Sequence, residues 1–222
     1  MEITPIAYVE SSFPTKFGVP RQSGLTDLVS HIVFVKEYAT EDAVRGLDGY
    51  EYVWVIWGFD KAERIKGVTV RPPRLGGNKR MGVFATRSPY RPNPLGLSSV
   101  KLIGVEKTEK GLTLVVAGAD MADGTPVYDI KPYLPFTDCH ENAKAGFSDE
   151  TVSYAIDVVF DEQTEEKIEE SIKEELKKVL ALDPRPQYHE EGREYGFSFY
   201  GYEIKFKVTN GILHVIGIEK QK

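Results

Sequence analysis

Up to about residue 160 the chain is a succession of short apolar runs separated by clusters of Gly, Pro and Asn. Ile3–Val9, His31–Glu37, Tyr52–Gly58, Gly67–Arg71, Leu97–Val105, Leu112–Gly118 and Tyr154–Phe160 are rich in Val, Ile, Tyr, Phe and Trp, and predict strands. Only Glu41–Leu47 suggests a helix in this region. The long crossover helices that join parallel strands are missing. This disfavours an open Rossmann sheet and fits a compact β-barrel with irregular crossings.

Beyond Phe160 the period changes. Ile168, Ile172, Leu176, Val179 and Leu180 recur at helical spacing, with Glu169–Lys173 and Glu174–Lys178 as i,i+4 pairs on the polar side. The pattern predicts an amphipathic helix of about five turns, whose apolar stripe docks on the barrel or on another subunit. DPRP at Asp183–Pro186 ends it, because proline cannot continue a helix. Tyr202–Thr209 and Ile212–Ile218 are then joined through Asn210 and Gly211, a two-residue hairpin signal. The expected protein is mainly β with an α+β appendage: a barrel domain over residues 1–160 and a small helix-and-hairpin domain over 161–222.

Composition bounds this picture without altering it. At 41% hydrophobic over 222 residues, there is material for one sizeable core and a small appended unit. MEITPIAYVESS lacks the basic start and apolar run of a secretory signal, and no stretch of about 20 apolar residues occurs. The expectation is a soluble, cytoplasmic protein with no membrane partner. Cys139 has no second cysteine to pair with, and His31, His140, His189 and His214 form no ligand pattern, so no metal site is expected.

Charge changes the picture more. A net charge of −6 argues against a nucleic-acid partner, but its distribution reverses that impression. From Arg64 to Val105 the chain carries Arg64, Lys66, Arg71, Arg74, Lys79, Arg80, Arg87, Arg91 and Lys101 and no acidic residue. Acidic residues gather instead in the carboxyl-terminal third, at Glu165, Glu166, Glu169, Glu170, Glu174 and Glu175. The basic run is either a solubilising loop or a polyanion site, and RPPRLGGNKR is too constrained for a flexible tail.

Dinucleotide, Walker, nucleophile-elbow and zincin motifs are absent. Asp120, Asp123 and Asp129 would be a sparse metal set, although ADMADGTP reads more naturally as turn chemistry. Gly82–Ser98, GVFATRSPYRPNPLGLS, is the most informative segment. Pro89, Pro92 and Pro94 stiffen it while Arg87 and Arg91 project from it, which suits either a preorganised binding loop or a braced barrel corner.

PRQSGL at 20–25, AVRGL at 43–47, VRPPRLGGN at 70–78, MGVFATRSPYRPNPLGLS at 81–98, DGTPVYDIKPYLPF at 123–136 and DPRPQY at 183–188 together resemble, in order and spacing, the signature blocks of the TrmO family. That resemblance implies a single-sheeted β-barrel methyltransferase, usually dimeric. Such an enzyme uses S-adenosylmethionine to methylate the exocyclic amine of threonylcarbamoyl-adenosine at position 37, in the anticodon loop of tRNA. The positions similar to the family's cofactor contacts are Ser23, Gly24 and Leu25, Asp60 and Lys61, Arg87 and Leu97, and Ala117, Gly118, Ala119 and Asp120. Asp60 and Lys61 depart from the His and Gln often found there. Gly24 and Gly118 would let backbone approach the ligand closely.

Methyl transfer is an in-line displacement at carbon, so alignment outweighs a dedicated base. Asp129 is a candidate acceptor for the proton that leaves the amine, and Lys131 and Tyr133 are candidates to polarise or stack on the base. Arg71, Arg74, Lys79, Arg80 and Arg91 suit phosphates around an extruded base. Arg185 and Tyr188 would add a guanidinium and a ring, or pack their turn against the barrel. Two rivals are a non-catalytic RNA-binding or nucleotide-binding module and a metal-dependent phosphohydrolase built on the three aspartates.

Overall fold

The computed structural model describes residues 2–62, 67–75, 78–151, 155–186 and 191–221. The chain divides into two compact units: Met1–Ser12, Pro20–Val70 and Arg80–Cys139 form the first, and Phe13–Val19, Arg71–Lys79 and His140–Lys222 form the second.

The first unit contains β1 (Ala7–Glu10), β2 (Val29–Phe34), β3 (Tyr52–Gly58), the short pair β4 (Thr69–Val70) and β5 (Met81–Gly82), β6 (Leu95–Thr108), β7 (Gly111–Ala117) and β8 (Pro126–Pro132). Six of them pair antiparallel in the order β1-β2-β7-β6-β3-β8, and β8 returns to β1 to close the ring. Alternation decides which residues fill it. In β3, Val53, Val55 and Trp57 point inward, and they join Ala7, Val9, Ile32, Val100, Leu114, Val116 and Val127 in one buried cluster. Tyr52, Trp54 and Ile56 take the opposite face. Glu41–Leu47, expected as a helix, is helical only over Glu41–Val44 (α1), followed by a 3-10 turn at Leu47–Gly49. Pro126–Pro132 was not expected as a strand, because the prolines at its ends and Asp129 and Lys131 within mask Val127, Tyr128 and Ile130; its outward positions face away from the core and tolerate both charges.

The second unit holds a four-stranded sheet in the order β10-β11-β12-β9, from β9 (Asp157–Phe160), β10 (Glu194–Phe199), β11 (Tyr202–Thr209) and β12 (Ile212–Lys220). β9 runs parallel to β12, so residues 157–160 belong to this unit, not to the barrel domain that was expected to run to residue 160. Nor is the sheet only a hairpin. β10 joins β11 across Tyr200 and Gly201, both at positive φ, as Asn210 and Gly211 join β11 to β12. Phe17 stacks on Tyr195 and Phe206, with ring centroids 6.1 and 6.4 Å apart, and Phe13 meets Phe199 at 5.3 Å.

The predicted five-turn helix is shorter. A single turn, α2 (Pro135–Asp138), ends the first unit's chain, and in the second α3 (Glu162–Glu165) is separated from α4 (Glu170–Ala181). Ile168 is buried from the turn between them, and Leu176, Val179 and Leu180 are buried from α4, which packs beside β9 in its own unit. Lys173 pairs with Glu165 and Glu170 at 2.8 Å each, not with Glu169 as the spacing suggested, because the break in the helix brings Glu165 alongside. Those two carboxylates raise the Lys173 pKa.

Candidate functional site

The first unit's candidate corner begins inside the barrel. Register sets Trp57 opposite Gly96, and a Cβ on Gly96 would come within 2.2 Å of the indole, so only glycine there admits the ring. The indole Nε1 donates to Ser98 Oγ at 2.9 Å, and Ser98 Oγ donates to Asp120 Oδ1 at 2.5 Å. Burial raises the Asp120 pKa, opposed by the Ser98 hydroxyl, its own backbone N–H, the charge of Arg87 and the Ser23 N–H. Arg87 Nη1 donates in turn to Gln22 Oε1.

Two backbone bonds fasten this corner: Gly24 N donates to Gly118 O at 2.9 Å and Gly118 N to Leu28 O at 3.0 Å. At Gly118, φ is 79°, and a Cβ would lie 3.0 Å from Thr26 O and 3.2 Å from Gly24 N. Its glycine therefore admits a neighbouring chain segment, whereas a Cβ on Gly24 would meet nothing within 4 Å. Thr26 Oγ1 is buried without a partner among the described residues. Thus Ser23, Gly24 and Leu25, Arg87, and Ala117 to Asp120 come together, with Leu25 and Leu97 exposed. Gln22, Trp57 and Ser98 were missed by sequence reasoning. A tryptophan at an inward strand position opposite a glycine is a signal only once register is known.

Asp60 and Lys61 are exposed on the following loop. Lys61 Nζ donates to Asp123 O at 2.7 Å, and Phe59 N donates to Pro94 O at 2.8 Å, tying this loop to the turn before β8 and to the proline-braced segment. Within that segment Arg91 is half-buried and donates to Thr86 O (3.0 Å) and Ser88 O (3.3 Å), so its guanidinium braces the loop.

Asp129, Lys131 and Tyr133 lie on or just after β8, away from the barrel core. Lys131 Nζ meets Asp129 Oδ2 at 2.8 Å, and Asp129 Oδ1 accepts the Ile130 N–H at 2.9 Å. Asp129 is opposite Ile56, which is opposite Leu97, so one cross-strand row links the two candidate groups. Tyr133 packs on Trp54 at 5.5 Å; burial first, then Cys139 and Asp138, raise its phenol pKa. Trp54 Nε1 donates to Asp138 Oδ2 at 2.7 Å. The three aspartates do not converge: Asp120 binds Ser98, Asp123 accepts the Ser11 N–H, Asp129 pairs with Lys131, and no metal-holding cluster occurs among the described residues.

The basic run divides between units. Arg71, Arg74 and Lys79 belong to the second and Arg80, Arg87 and Arg91 to the first. Arg71, Lys79 and Arg80 are exposed, while Arg64, Lys66, Tyr188 and the side chain of Arg74 lie outside what is described. Arg185, a candidate RNA contact, donates from Nε to both oxygens of the wholly buried Asp183, at 2.9 and 3.2 Å.

The tRNA-methyltransferase O N-terminal domain family matches residues 8–139, and the TrmO C-terminal domain family matches residues 153–221. This chain therefore belongs to the TrmO family. It is 38% identical over 225 residues to the tRNA (adenine(37)-N6)-methyltransferase of Escherichia coli strain K12, covering 96% of each chain. It is 42% identical over 139 residues to an S-adenosyl-L-methionine-binding protein of Archaeoglobus fulgidus, covering 63% of this chain and 94% of that one. The crystal structure of TrmO from Pseudomonas aeruginosa superposes with a TM-score of 0.78 at 31% identity, covering 99% of this chain and 98% of that one. No helix of the described residues is long and apolar enough to cross a membrane.

Proposed function

We propose that this chain is an S-adenosylmethionine-dependent methyltransferase acting on N6 of adenine 37 in the anticodon loop of tRNA, with the threonylcarbamoyl-modified base as its target. The observation that carries this reading is the meeting of three separate chain segments at Asp120 in a chain that aligns end to end with a tRNA (adenine(37)-N6)-methyltransferase. The corner suits the cofactor's chemistry. A carboxylate and a guanidinium, Asp120 and Arg87, complement its cationic and carboxylate groups, Leu25 and Leu97 offer exposed apolar surface, and the backbone at Gly24 is open. When bound, S-adenosylmethionine supplies an activated methyl group.

The barrel unit is the cofactor-binding domain in this reading. Ser23 to Leu25, Asp60, Lys61, Arg87, Leu97 and Ala117 to Asp120 bind and orient the donor. Asp129 lies two strands from Leu97, about 10 Å across the sheet, and accepts the amine proton, with Lys131 fixing its orientation. Tyr133, whose phenol pKa its surroundings raise further, stacks on the base or donates to it. Exposed Arg71, Lys79 and Arg80, with Arg74 and Tyr188, engage RNA phosphates and bases, while Arg91 acts by holding its loop. The enzyme works as a cytoplasmic homodimer, as the family resemblance implies.

Incubation with methyl-labelled S-adenosylmethionine and tRNA carrying or lacking the threonylcarbamoyl group tests the reading. Label is expected in the modified tRNA alone, without sensitivity to chelators; no incorporation into either RNA would refute it. Asp129→Asn is expected to slow single turnover by about 100-fold, and an unchanged rate removes Asp129 as the acceptor.

A further inference from the structure

We propose that Ser98 and Trp57 are positioning residues for methyl transfer: the Trp57 indole orients the Ser98 hydroxyl, which holds the Asp120 carboxylate in one orientation at the cofactor corner. This rests on the cofactor reading of that corner. The direction of the chain of hydrogen bonds is fixed by chemistry, because an indole N–H can only donate. Ser98 Oγ receives it at 2.9 Å and so directs its own proton to Asp120 Oδ1, 2.5 Å away. The indole cannot swing, since it lies over Gly96 and against Phe59, with ring centroids 4.2 Å apart.

The hydroxyl at position 98 serves two neighbours at once, accepting from the Trp57 indole and donating to Asp120. Ser98 is 2% exposed, and the next inward position on β6, Val100, is apolar and equally buried. A valine at 98 would extend that row, but it would leave the buried Trp57 N–H without its acceptor and Asp120 Oδ1 without its donor. What the hydroxyl adds is a fixed donor to an acid. The groups facing Asp120 are Ser98, its own backbone N–H, the Ser23 N–H and Arg87, and of the side chains only Ser98 is anchored from the barrel core. Arg87 is exposed and shared with Gln22.

The test uses the full chain with Ser98→Ala, Trp57→Phe, Asp120→Asn and the Ser98→Ala/Asp120→Asn double variant. Calorimetry measures S-adenosylmethionine affinity across acidic to neutral pH, and carbon-13 NMR follows the Asp120 carboxyl titration without cofactor. Ser98→Ala is expected to weaken binding about tenfold and to move both the carboxyl titration and the affinity midpoint to higher pH. Trp57→Phe shifts them the same way by less. The double variant binds no more weakly than Asp120→Asn alone, because Ser98 acts through Asp120. Additive penalties, or a midpoint unmoved in both Ser98→Ala and Trp57→Phe, overturn the proposal. Wild-type protein that fails to bind the cofactor refutes the underlying reading instead, and the cofactor-free titration still reports whether Ser98 holds Asp120.

Discussion

Each unit of this protein places an aspartate near an arginine, and the two pairs are built differently. In the second unit Asp183 is wholly buried and Arg185 meets both of its oxygens, with the arginine side chain only 12% exposed. In the first, Asp120 is buried enough to raise its pKa, yet Arg87 acts on it only through its field while bonding to Gln22. A saturated pair closes a turn. An incompletely neutralised acid beside an exposed guanidinium is what the proposed cofactor reading needs.

The strongest way to break this contrast is to remove each arginine. Arg185→Ala leaves a buried carboxylate without its guanidinium, and is expected to destabilise the full chain by about 3 kcal/mol in urea unfolding. Cofactor affinity, measured where the variant is folded, should be unchanged. Were tRNA affinity to fall while stability held, Arg185 would belong to the RNA surface and the contrast would fail.

Arg87→Met is expected to do the reverse, lowering S-adenosylmethionine affinity by about 10-fold to 100-fold with little change in stability. Its pH dependence has a definite sign. Asp120 has a raised folded-state pKa, so the folded protein binds that proton more tightly than the unfolded chain does. Its contribution to stability is present below the unfolded value of 3.8 and is lost as pH rises through the folded one. Removing Arg87 takes away a lowering influence, so the loss should extend to higher pH in Arg87→Met and vanish in Asp120→Asn. Identical stability profiles in all three proteins would mean that Asp120 does not titrate as the geometry requires.

Legibility in the sequence follows the same division between local and long-range causes. Tyr52–Gly58 and Tyr202–Thr209 read correctly because alternation and turn residues are local signals, and Asn210-Gly211 sets its hairpin without help. β8 was invisible because its outward Asp129 and Lys131 and its terminal prolines mask a strand whose only strong signal is its pairing with β1 and β3. β9 was assigned to the wrong unit since parallel pairing with β12 spans more than fifty residues of chain. At the candidate corner, Ser23, Gly24, Arg87 and Asp120 are expected from the family's motifs. Ser98 and Trp57 are not, because their meaning lies in a register that places Trp57 over Gly96.

A third pair sharpens the comparison from its weak end. Asp129 and Lys131 are 2.8 Å apart, but their side chains are 46% and 62% exposed, so water and salt screen the attraction. Lys131→Ala should therefore change stability by no more than about 0.5 kcal/mol, and the difference should shrink as salt is raised in urea unfolding. If Lys131 orients the proton acceptor, the same variant slows single-turnover methylation while leaving S-adenosylmethionine affinity intact. A large stability loss with unaltered turnover would make the pair structural, and would narrow the proposed ligand chemistry to the corner at Asp120 and Arg87.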